Sequence, residues 1–261
     1  MDEAAQYNIA RWQALNDANA LFTRPYREMT LEQAQERLAM YGLPQDIRGK
    51  KILALAGGGG QQSVVFSLLG AEVTIVDLSE AQLQRDRAMA AHHNIRPTLI
   101  QGDIRNLSML PTGHFDIVQQ AYSLNFVPDI ATVFEQITRV LVTGGLYDTL
   151  FANPFAAGVR HRDWDGSGYP IRQPYIDGEK ITSRDEDWVY DQSQFDVPPV
   201  VEYRHTLGKI VEKLTSNGFI ITRLIEVGAY EHNANADPAT WEHFSAFLPP
   251  WLSLQARYQQ L

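Results

Sequence analysis

Residues 51–62 read KILALAGGGGQQ, and residues 72–77 read EVTIVD. The first stretch is an apolar strand that runs into four consecutive glycines, and the second is a β-branched strand that ends on Asp77. Four glycines in a row cost backbone entropy, which favours a loop that a ligand approaches closely over a plain tight turn. A helix that begins at Gln61 would turn its first amides toward the same place. This unit predicts an α/β fold with a ligand site beyond the carboxyl ends of its strands.

The alternation of strand and helix patterns continues from residue 50 to residue 226, which predicts a parallel sheet with crossover helices. Two helices carry a capping box at their start, formed by Thr30 with Gln33 and by Ser79 with Gln82. The predicted strands are Lys51 to Leu55, Glu72 to Asp77, Thr98 to Gln101, Asp116 to Gln119, Gly145 to Phe151 and Phe219 to Glu226.

The same pattern divides the chain into five segments. Residues 1–49 form a helical cap, residues 50–154 the cofactor-binding core, and residues 155–200 an insertion. Residues 201–228 complete the core with a helix and an antiparallel strand pair, and residues 229–261 are a C-terminal extension. The insertion combines glycines and prolines with rings such as Trp164 and Trp188, a mixture that predicts an ordered, jointed lid over the acceptor.

The amino-acid composition excludes several kinds of functional site. The chain has 261 residues, of which 44% are apolar and 20% charged, as in globular proteins. It has no cysteine, which excludes disulfides, zinc-thiolate sites, iron–sulfur clusters and thiol nucleophiles. A net charge of −9 opposes nucleic-acid binding, and no histidine spacing predicts a metal site. Without a signal-peptide pattern or an apolar run long enough for a bilayer, we expect a cytoplasmic protein with no membrane contact.

Asp77 lies where an acidic side chain can accept hydrogen bonds from both ribose hydroxyls of an adenosine moiety. This placement suits a nicotinamide cofactor and S-adenosylmethionine alike. The dinucleotide fingerprint has glycine or alanine where this chain has Ser63, which weakens the nicotinamide interpretation. A short reductase would also carry a Tyr-x-x-x-Lys pair, whereas Tyr122 and Tyr147 are each followed four positions later by phenylalanine.

Further motifs follow in a fixed order. They are QGDI at 101–104, FDIV at 115–118, LNFVPD at 124–129, RVL at 139–141 with GGL at 144–146, and NGF at 217–219. In order and spacing, the chain from about residue 50 to residue 226 resembles a class I S-adenosylmethionine-dependent methyltransferase. It is most similar to the bacterial small-molecule enzymes of ubiquinone and menaquinone biosynthesis.

The resemblance implies a Rossmann-like three-layer sandwich with a seven-stranded, mostly parallel sheet of order 3-2-1-4-5-7-6, in which only the last-formed edge pairing is antiparallel. It implies S-adenosylmethionine as cofactor and S-adenosylhomocysteine as product. The methionine end of the cofactor would lie on the loop and the ribose on Asp77. Leu78 would lie against the adenine, Asp103 would accept from its amino group, and the backbone amide of Ile104 would donate to its ring. The sulfonium would lie just past the fourth strand. The implied cofactor residues are Ala56, Gly57, Gly58, Gly60, Gln61, Asp77, Leu78, Asp103, Ile104, Gln120 and Ala121.

Two positions depart from the family pattern, which usually has an acid at Ala54 and glycine at Ala56. The missing acid commonly orients the methionine ammonium. Gln61 and Gln62 are possible substitutes, and the loop could also act through its amides.

Methyl transfer is an in-line displacement, so the main task is alignment, and a general base is optional. The candidates for a catalytic side chain are His161 and Asn153, and the acceptor atom stays open among nitrogen, oxygen, carbon and sulfur. We expect a small-molecule acceptor. The alternatives are a cofactor-binding but catalytically silent protein, which the missing acid at Ala54 favours, and a nicotinamide-dependent reductase. No oligomeric state is predicted.

Overall fold

The computed structural model describes residues 2–184, 196–228 and 231–260, so Trp188 lies outside the described residues. No helix within those ranges is long and apolar enough to cross a membrane. The helices are α1 (Glu3–Asp17), α2 (Leu31–Tyr41), α3 (Gln62–Leu68), α4 (Glu80–His93), α5 (Ile130–Val140), α6 (Leu207–Ser216) and α7 (Trp241–Phe247). The strands are β1 (Lys51–Leu55), β2 (Glu72–Asp77), β3 (Thr98–Gln101), β4 (Phe115–Gln120), β5 (Leu141–Ala152), β6 (Lys180–Ser183), β7 (Val200–Tyr203), β8 (Phe219–Val227) and β9 (Trp251–Tyr258).

Seven strands form the main sheet in the order β3-β2-β1-β4-β5-β9-β8. Counted within this sheet alone, the order is the expected 3-2-1-4-5-7-6. The pairings from β3 across to β5 are parallel, whereas β9 pairs antiparallel with both β5 and β8. The α/β class is confirmed, but two pairings rather than one are antiparallel. The seventh strand also comes from residues 251–258, which the sequence analysis assigned to a C-terminal extension.

Helices cover both faces of the sheet and make it the middle of three layers. On one face, α5 and α6 bury Phe134, Ile137 and Leu214 against the strands. On the other face, α2 and α3 bury Leu38 and Phe66. Because apolar side chains from both layers meet the sheet, its strands are apolar on both sides, as expected for parallel strands.

Local signals fix the helix ends. At α2, Gln33 N–H donates to Thr30 Oγ1 at 3.1 Å and Thr30 N–H donates to Gln33 Oε1 at 3.0 Å, which is the predicted capping box. The second box is only half formed. Gln82 N–H donates to Ser79 Oγ at 3.3 Å, but Ser79 N–H donates to Asp77 at 2.8 Å instead of to Gln82. The side chain of Gln82 is therefore left for another role.

The insertion contains a second sheet, in which β6 and β7 pair antiparallel. An aromatic cluster packs the insertion against the C-terminal helix α7. Trp164 packs edge-on against His243 at a centroid distance of 4.8 Å, and Tyr169 Oη lies 2.8 Å from His243 Nδ1. Trp164 thus packs against α7, so its effect on an acceptor would be indirect.

Asp148 on β5 is an acid within the sheet. Among the described residues, its carboxyl group accepts one hydrogen bond, from Gln255 Nε2 of β9 at 3.0 Å. Burial raises its pKa to about 7, and the hydrogen bond from Gln255 only partly opposes this. Between about pH 4 and pH 7 the folded chain therefore holds a proton that the unfolded chain has released. Stability from this group is present at low pH and falls as pH rises through that range.

We therefore expect the wild-type free energy of unfolding to fall between pH 5 and pH 8, and Asp148→Asn to reduce that fall. Asn keeps an oxygen that can accept from Gln255 but does not ionise. Urea unfolding at the two pH values measures the difference, with Asp116→Asn as a half-exposed control. Equal declines in the wild type and in Asp148→Asn would contradict the assignment.

Candidate functional site

A cavity of about 700 Å³ lies beyond the carboxyl ends of β1, β2 and β4. Its size is typical of sites for small molecules and cofactors. Its wall consists mainly of apolar and aromatic side chains, with Trp12 of α1 and Trp241 of α7 among them. The edge of the sheet at which the sequence analysis expected a ligand is thus the edge that carries the cavity.

Eight of the candidate residues line this cavity. They are Ala56, Gly58, Gln61, Asp77, Leu78, Ile104, Ala121 and His161. The other five do not: they are Gly57, Gly60, Asp103, Gln120 and Asn153. Most of the expected residues therefore lie in the cavity wall. The remaining five lie outside that wall.

Three amides of the glycine loop donate to two acids. Gly58 N–H donates to Asp77 Oδ2 at 2.9 Å. Gly59 and Gly60 N–H donate to the two oxygens of Asp86 on α4, at 2.8 and 3.0 Å. In the structure these three amides therefore already have carboxylate acceptors, and a role for the loop amides toward a ligand stays a prediction. What the loop offers a ligand is close approach to its backbone, since these three amides already donate to Asp77 and Asp86.

Asp86 was not singled out from the sequence. It is fully buried and also accepts a hydrogen bond from Ser63 Oγ at 2.5 Å. It lies on the same helical face as the buried Leu83 and Met89. A charged residue within an apolar stripe is the signal that could have identified it, because buried acids need partners.

Burial perturbs both acids below the loop. It raises the pKa of Asp77 to about 6, against the hydrogen bonds from Ser79 and Gly58, which lower it. It also raises the pKa of Asp86 to about 6, against the hydrogen bonds from Ser63 and the loop amides. At neutral pH both carboxylates are thus largely ionised, and Asp77 can accept further hydrogen bonds from a ligand in the cavity.

Gln82 provides an observation that points to a ligand. Its side chain is 2% exposed and lines the cavity, yet neither its amide oxygen nor its amide nitrogen has a hydrogen-bond partner among the described residues. A buried amide without partners is costly. The cost is relieved when a polar group enters the cavity beside Asp77.

Two backbone features shape the loop. Ala56 has φ of 49°, the left-handed region that favours glycine, which accounts for the family's preference at this position. A Cβ on Gly58 would lie 2.8 Å from Asp77 Oδ2 and 2.8 Å from Gln82 Cβ. A side chain at position 58 would therefore collide with Asp77 and Gln82, which is why glycine is needed there.

Asp103 is engaged with a cation outside the cavity wall. Arg105 donates to Asp103 from Nε at 3.0 Å and from a terminal nitrogen at 2.6 Å, and it also pairs with Asp2 at the start of α1. This ion triad ties the N-terminal helix to the loop after β3. A role for Asp103 in adenine recognition stays a prediction.

Gln120 and Asn153 have structural partners. Gln120 accepts from Tyr147 Oη at 2.7 Å and donates to Ser123 Oγ at 3.0 Å, and it is completely buried. Asn153 Nδ2 donates to the carbonyl of Pro249 at 2.8 Å and so holds the turn before β9. His161, in contrast, lies in the cavity wall and stacks on Trp241 with a centroid distance of 4.5 Å.

The end of the cavity next to Ala121 contains a pair that the sequence analysis missed. Tyr122 Oη donates to Glu202 Oε1 at 2.5 Å, and both residues line the cavity. Glu202 belongs to β7, just past the predicted end of the insertion, and no pattern in the sequence marked it. Within the described part of the chain, no group of three or more His, Cys, Asp or Glu side chains could hold a metal ion.

Residues 53–147 match the family model of a methyltransferase domain. The chain is 26% identical over 240 residues to the uncharacterized methyltransferase YbaJ of Bacillus subtilis, and the match covers 87% of this chain and 91% of that protein. It is 32% identical over 112 residues to the ubiquinone biosynthesis O-methyltransferase of Azotobacter vinelandii. That match covers 42% of this chain and about half of the relative, 48%.

The crystal structure of an S-adenosylmethionine dependent methyltransferase from Mesorhizobium loti superposes on the chain with a TM-score of 0.65. The two sequences are 26% identical, and the match covers 87% of this chain and 100% of that one. The resemblance inferred from the sequence motifs is thereby confirmed.

Proposed function

Because the chain carries a methyltransferase domain with the fold of class I S-adenosylmethionine-dependent methyltransferases, we propose that it transfers a methyl group from S-adenosylmethionine to a small-molecule acceptor. The observation that carries the proposal is the grouping of three features around one cavity. They are the glycine loop, the buried carboxylate of Asp77 and the unpartnered amide of Gln82.

The residues of this cavity fit the cofactor by their chemistry. Asp77 would accept from the ribose hydroxyls, since each carboxylate oxygen keeps a lone pair beyond its bond to Ser79 or Gly58. Gln82 offers both a donor and an acceptor beside it. Leu78 and Ile104 would pack on the flat apolar faces of the adenine.

The methionine end would lie along Ala56 and Gly58, where the absence of side-chain bulk allows close approach, next to Gln61. Gln61 Nε2 donates to the carbonyl of Arg24 at 2.8 Å and so joins the loop to the N-terminal cap. Gly57, Gly60, Asp103 and Gln120 would support the site from behind the wall.

When bound, S-adenosylmethionine supplies a methyl group on a positively charged sulfur. The chain's own contribution is to align the acceptor with that methyl group and to exclude water. Ala121 provides a small floor just past β4, while Trp12 and Phe22 from the N-terminal cap and Trp241 from α7 line the cavity. A cavity of about 700 Å³ suits a small acceptor.

Calorimetry tests the proposal. We expect the wild type to bind S-adenosylmethionine and S-adenosylhomocysteine, and Asp77→Ala to weaken binding by about 1 to 3 kcal/mol, because it removes a charged acceptor. Glu72→Ala is the matched control, an exposed acid at the opposite end of the same strand. Binding of a nicotinamide cofactor in place of both ligands would overturn the proposal. Binding without turnover of labelled cofactor in any cell extract would support the silent alternative.

A further inference from the structure

Three elements build the acceptor end of the cavity and hold one another in place. The loop after β4 contacts β7 through the pair of Tyr122 with Glu202. The same loop receives the ring of His205, whose Nε2 lies 2.9 Å from the carbonyl of Val127. The third element is α1, in which Tyr7 Oη donates to the carbonyl of Pro199 at 2.6 Å. Glu202 is therefore fixed on a braced strand and not on a free loop.

The carboxylate of Glu202 has few partners. Among residues 2–184, 196–228 and 231–260, the hydrogen bond from Tyr122 is the only one that it accepts. One oxygen is thus occupied, and the group as a whole lies in the cavity wall. A carboxylate with spare acceptor capacity inside a largely apolar cavity is suited to take a proton from a ligand.

The charges around Glu202 come from several elements. Burial raises the pKa of Glu202, while the hydrogen bond from Tyr122 and the charge of Arg11 on α1 lower it. Across the same cavity lie Arg160, His161, Arg162 and Arg184. The charge of Arg11 favours an ionised carboxylate, whereas burial keeps Glu202 a stronger base than an exposed acid.

We propose that Glu202 is the general base of the methyl transfer, that Tyr122 positions it, and that the acceptor is consequently a planar molecule with a reactive hydroxyl group. This inference rests on the proposed function. The acceptor's hydroxyl proton passes to Glu202. The oxygen lone pair forms the bond to the methyl carbon as the carbon–sulfur bond breaks, and that bond's electron pair stays on sulfur. Charge balances, because a neutral ether and a protonated Glu202 result.

The choice of a hydroxyl follows from what each nucleophile needs. A neutral amine already carries an available lone pair, so a base adds little to it, whereas a hydroxyl needs its proton removed as it attacks. The planar shape follows from rings in the wall such as Trp12 and Phe126, which meet each other edge-on and not face to face. Flat faces of this kind stack well on an aromatic acceptor.

The experiment uses matched probes with methyl-labelled S-adenosylmethionine. The hydroxyl probes are catechol and 1-naphthol, and their amine counterparts are 1,2-diaminobenzene and 1-aminonaphthalene. We expect label on the hydroxyl probes and a fall in turnover of about 100-fold or more in Glu202→Gln. Glu179→Gln, a carboxylate just before β6 that does not line the cavity, should keep wild-type turnover.

A second variant separates a base from a structural residue. Tyr122→Phe removes a hydrogen bond that lowers the pKa of Glu202, so the acidic limb of the pH–rate profile should move to higher pH. A merely structural role would lower turnover without moving that limb. Tyr203→Phe, the next residue along β7 and outside the cavity wall, is the control.

Binding of S-adenosylhomocysteine, measured by calorimetry, keeps this test apart from that of the proposed function. Binding should be unchanged in Glu202→Gln and Tyr122→Phe. Absence of binding to the wild type would overturn the proposed function itself. With binding intact, unchanged turnover in Glu202→Gln, label on the amine probes at the same rate, or no label on either hydroxyl probe would overturn the assignment of Glu202 and of a hydroxyl acceptor.

Discussion

Replacing Asp86 by alanine is expected to lower the free energy of unfolding by about 3 to 5 kcal/mol, because three buried donors lose their acceptor together. These donors are the amides of Gly59 and Gly60 and the hydroxyl of Ser63. None can be satisfied by water unless the loop opens, since Asp86 is fully buried. The loop that opens is the one that would carry the cofactor, so binding should weaken with stability.

Urea unfolding at pH 8, where Asp86 is ionised, measures the first effect. Asp46→Ala is the control, an exposed acid that accepts one amide hydrogen bond from Arg48 and whose loss should change stability by about 0.5 kcal/mol or less. Asp86→Asn should fall between the two, because its oxygen still accepts but its amino group faces the loop amides. If Asp86→Ala were as stable as the control, the carboxylate would not be holding the loop.

Asp86 also shows why the sequence reveals one acid of this site and hides the other. Asp77 ends a strand next to a glycine loop, so its place at the sheet edge follows from local pattern alone. Asp86 lies within α4, and its partners are 23 to 27 residues away along the chain. The one local sign is its place in a stripe with Leu83 and Met89, and that sign does not say which groups it holds. Its burial depends on how α4 packs on the loop.

The same distinction separates the fold from the site. The alternation of strands and helices is a local signal, which is why the α/β class could be predicted, whereas the order of the strands was implied by the resemblance to the methyltransferase family. The partners of Gln120 depend on the packing of β4 against β5, since Tyr147 occupies its amide oxygen. Glu202 reaches the cavity only because β7 packs onto the loop after β4. Contacts of this kind join residues that are far apart in the chain, so they produce no periodic pattern in the sequence.

The seventh strand is an intermediate case. Residues 251–258 read WLSLQARY, and buried residues such as Leu252 and Leu254 alternate with more exposed ones along the first half of the stretch. That alternation is a strand signal. The parallel strands of the sheet all come earlier in the chain. The position of this last strand therefore depends on its antiparallel pairing with β5 and β8.

Replacing Gly58 by valine is expected to reduce cofactor affinity by about 100-fold or more, because Asp77 and the cavity wall change together. The new Cβ would lie within 2.8 Å of Asp77 Oδ2 and of Gln82 Cβ, closer than real contacts of this kind. Asp77 must therefore move. Its two oxygens also hold the amides of Gly58 and Ser79, so the movement disturbs the loop and the start of α4.

The remaining methyl groups of valine would project into the space above the loop, where the methionine end of the cofactor is proposed to lie. Calorimetry with S-adenosylhomocysteine measures the loss, and circular dichroism verifies that the variant is folded. Gly208→Val on α6 is the matched control, since a Cβ there meets no atom within 4 Å. If the Gly58 variant were folded and bound the ligand as tightly as the Gly208 variant, the cofactor would not lie on this loop, and Asp77 would lose its assigned partner.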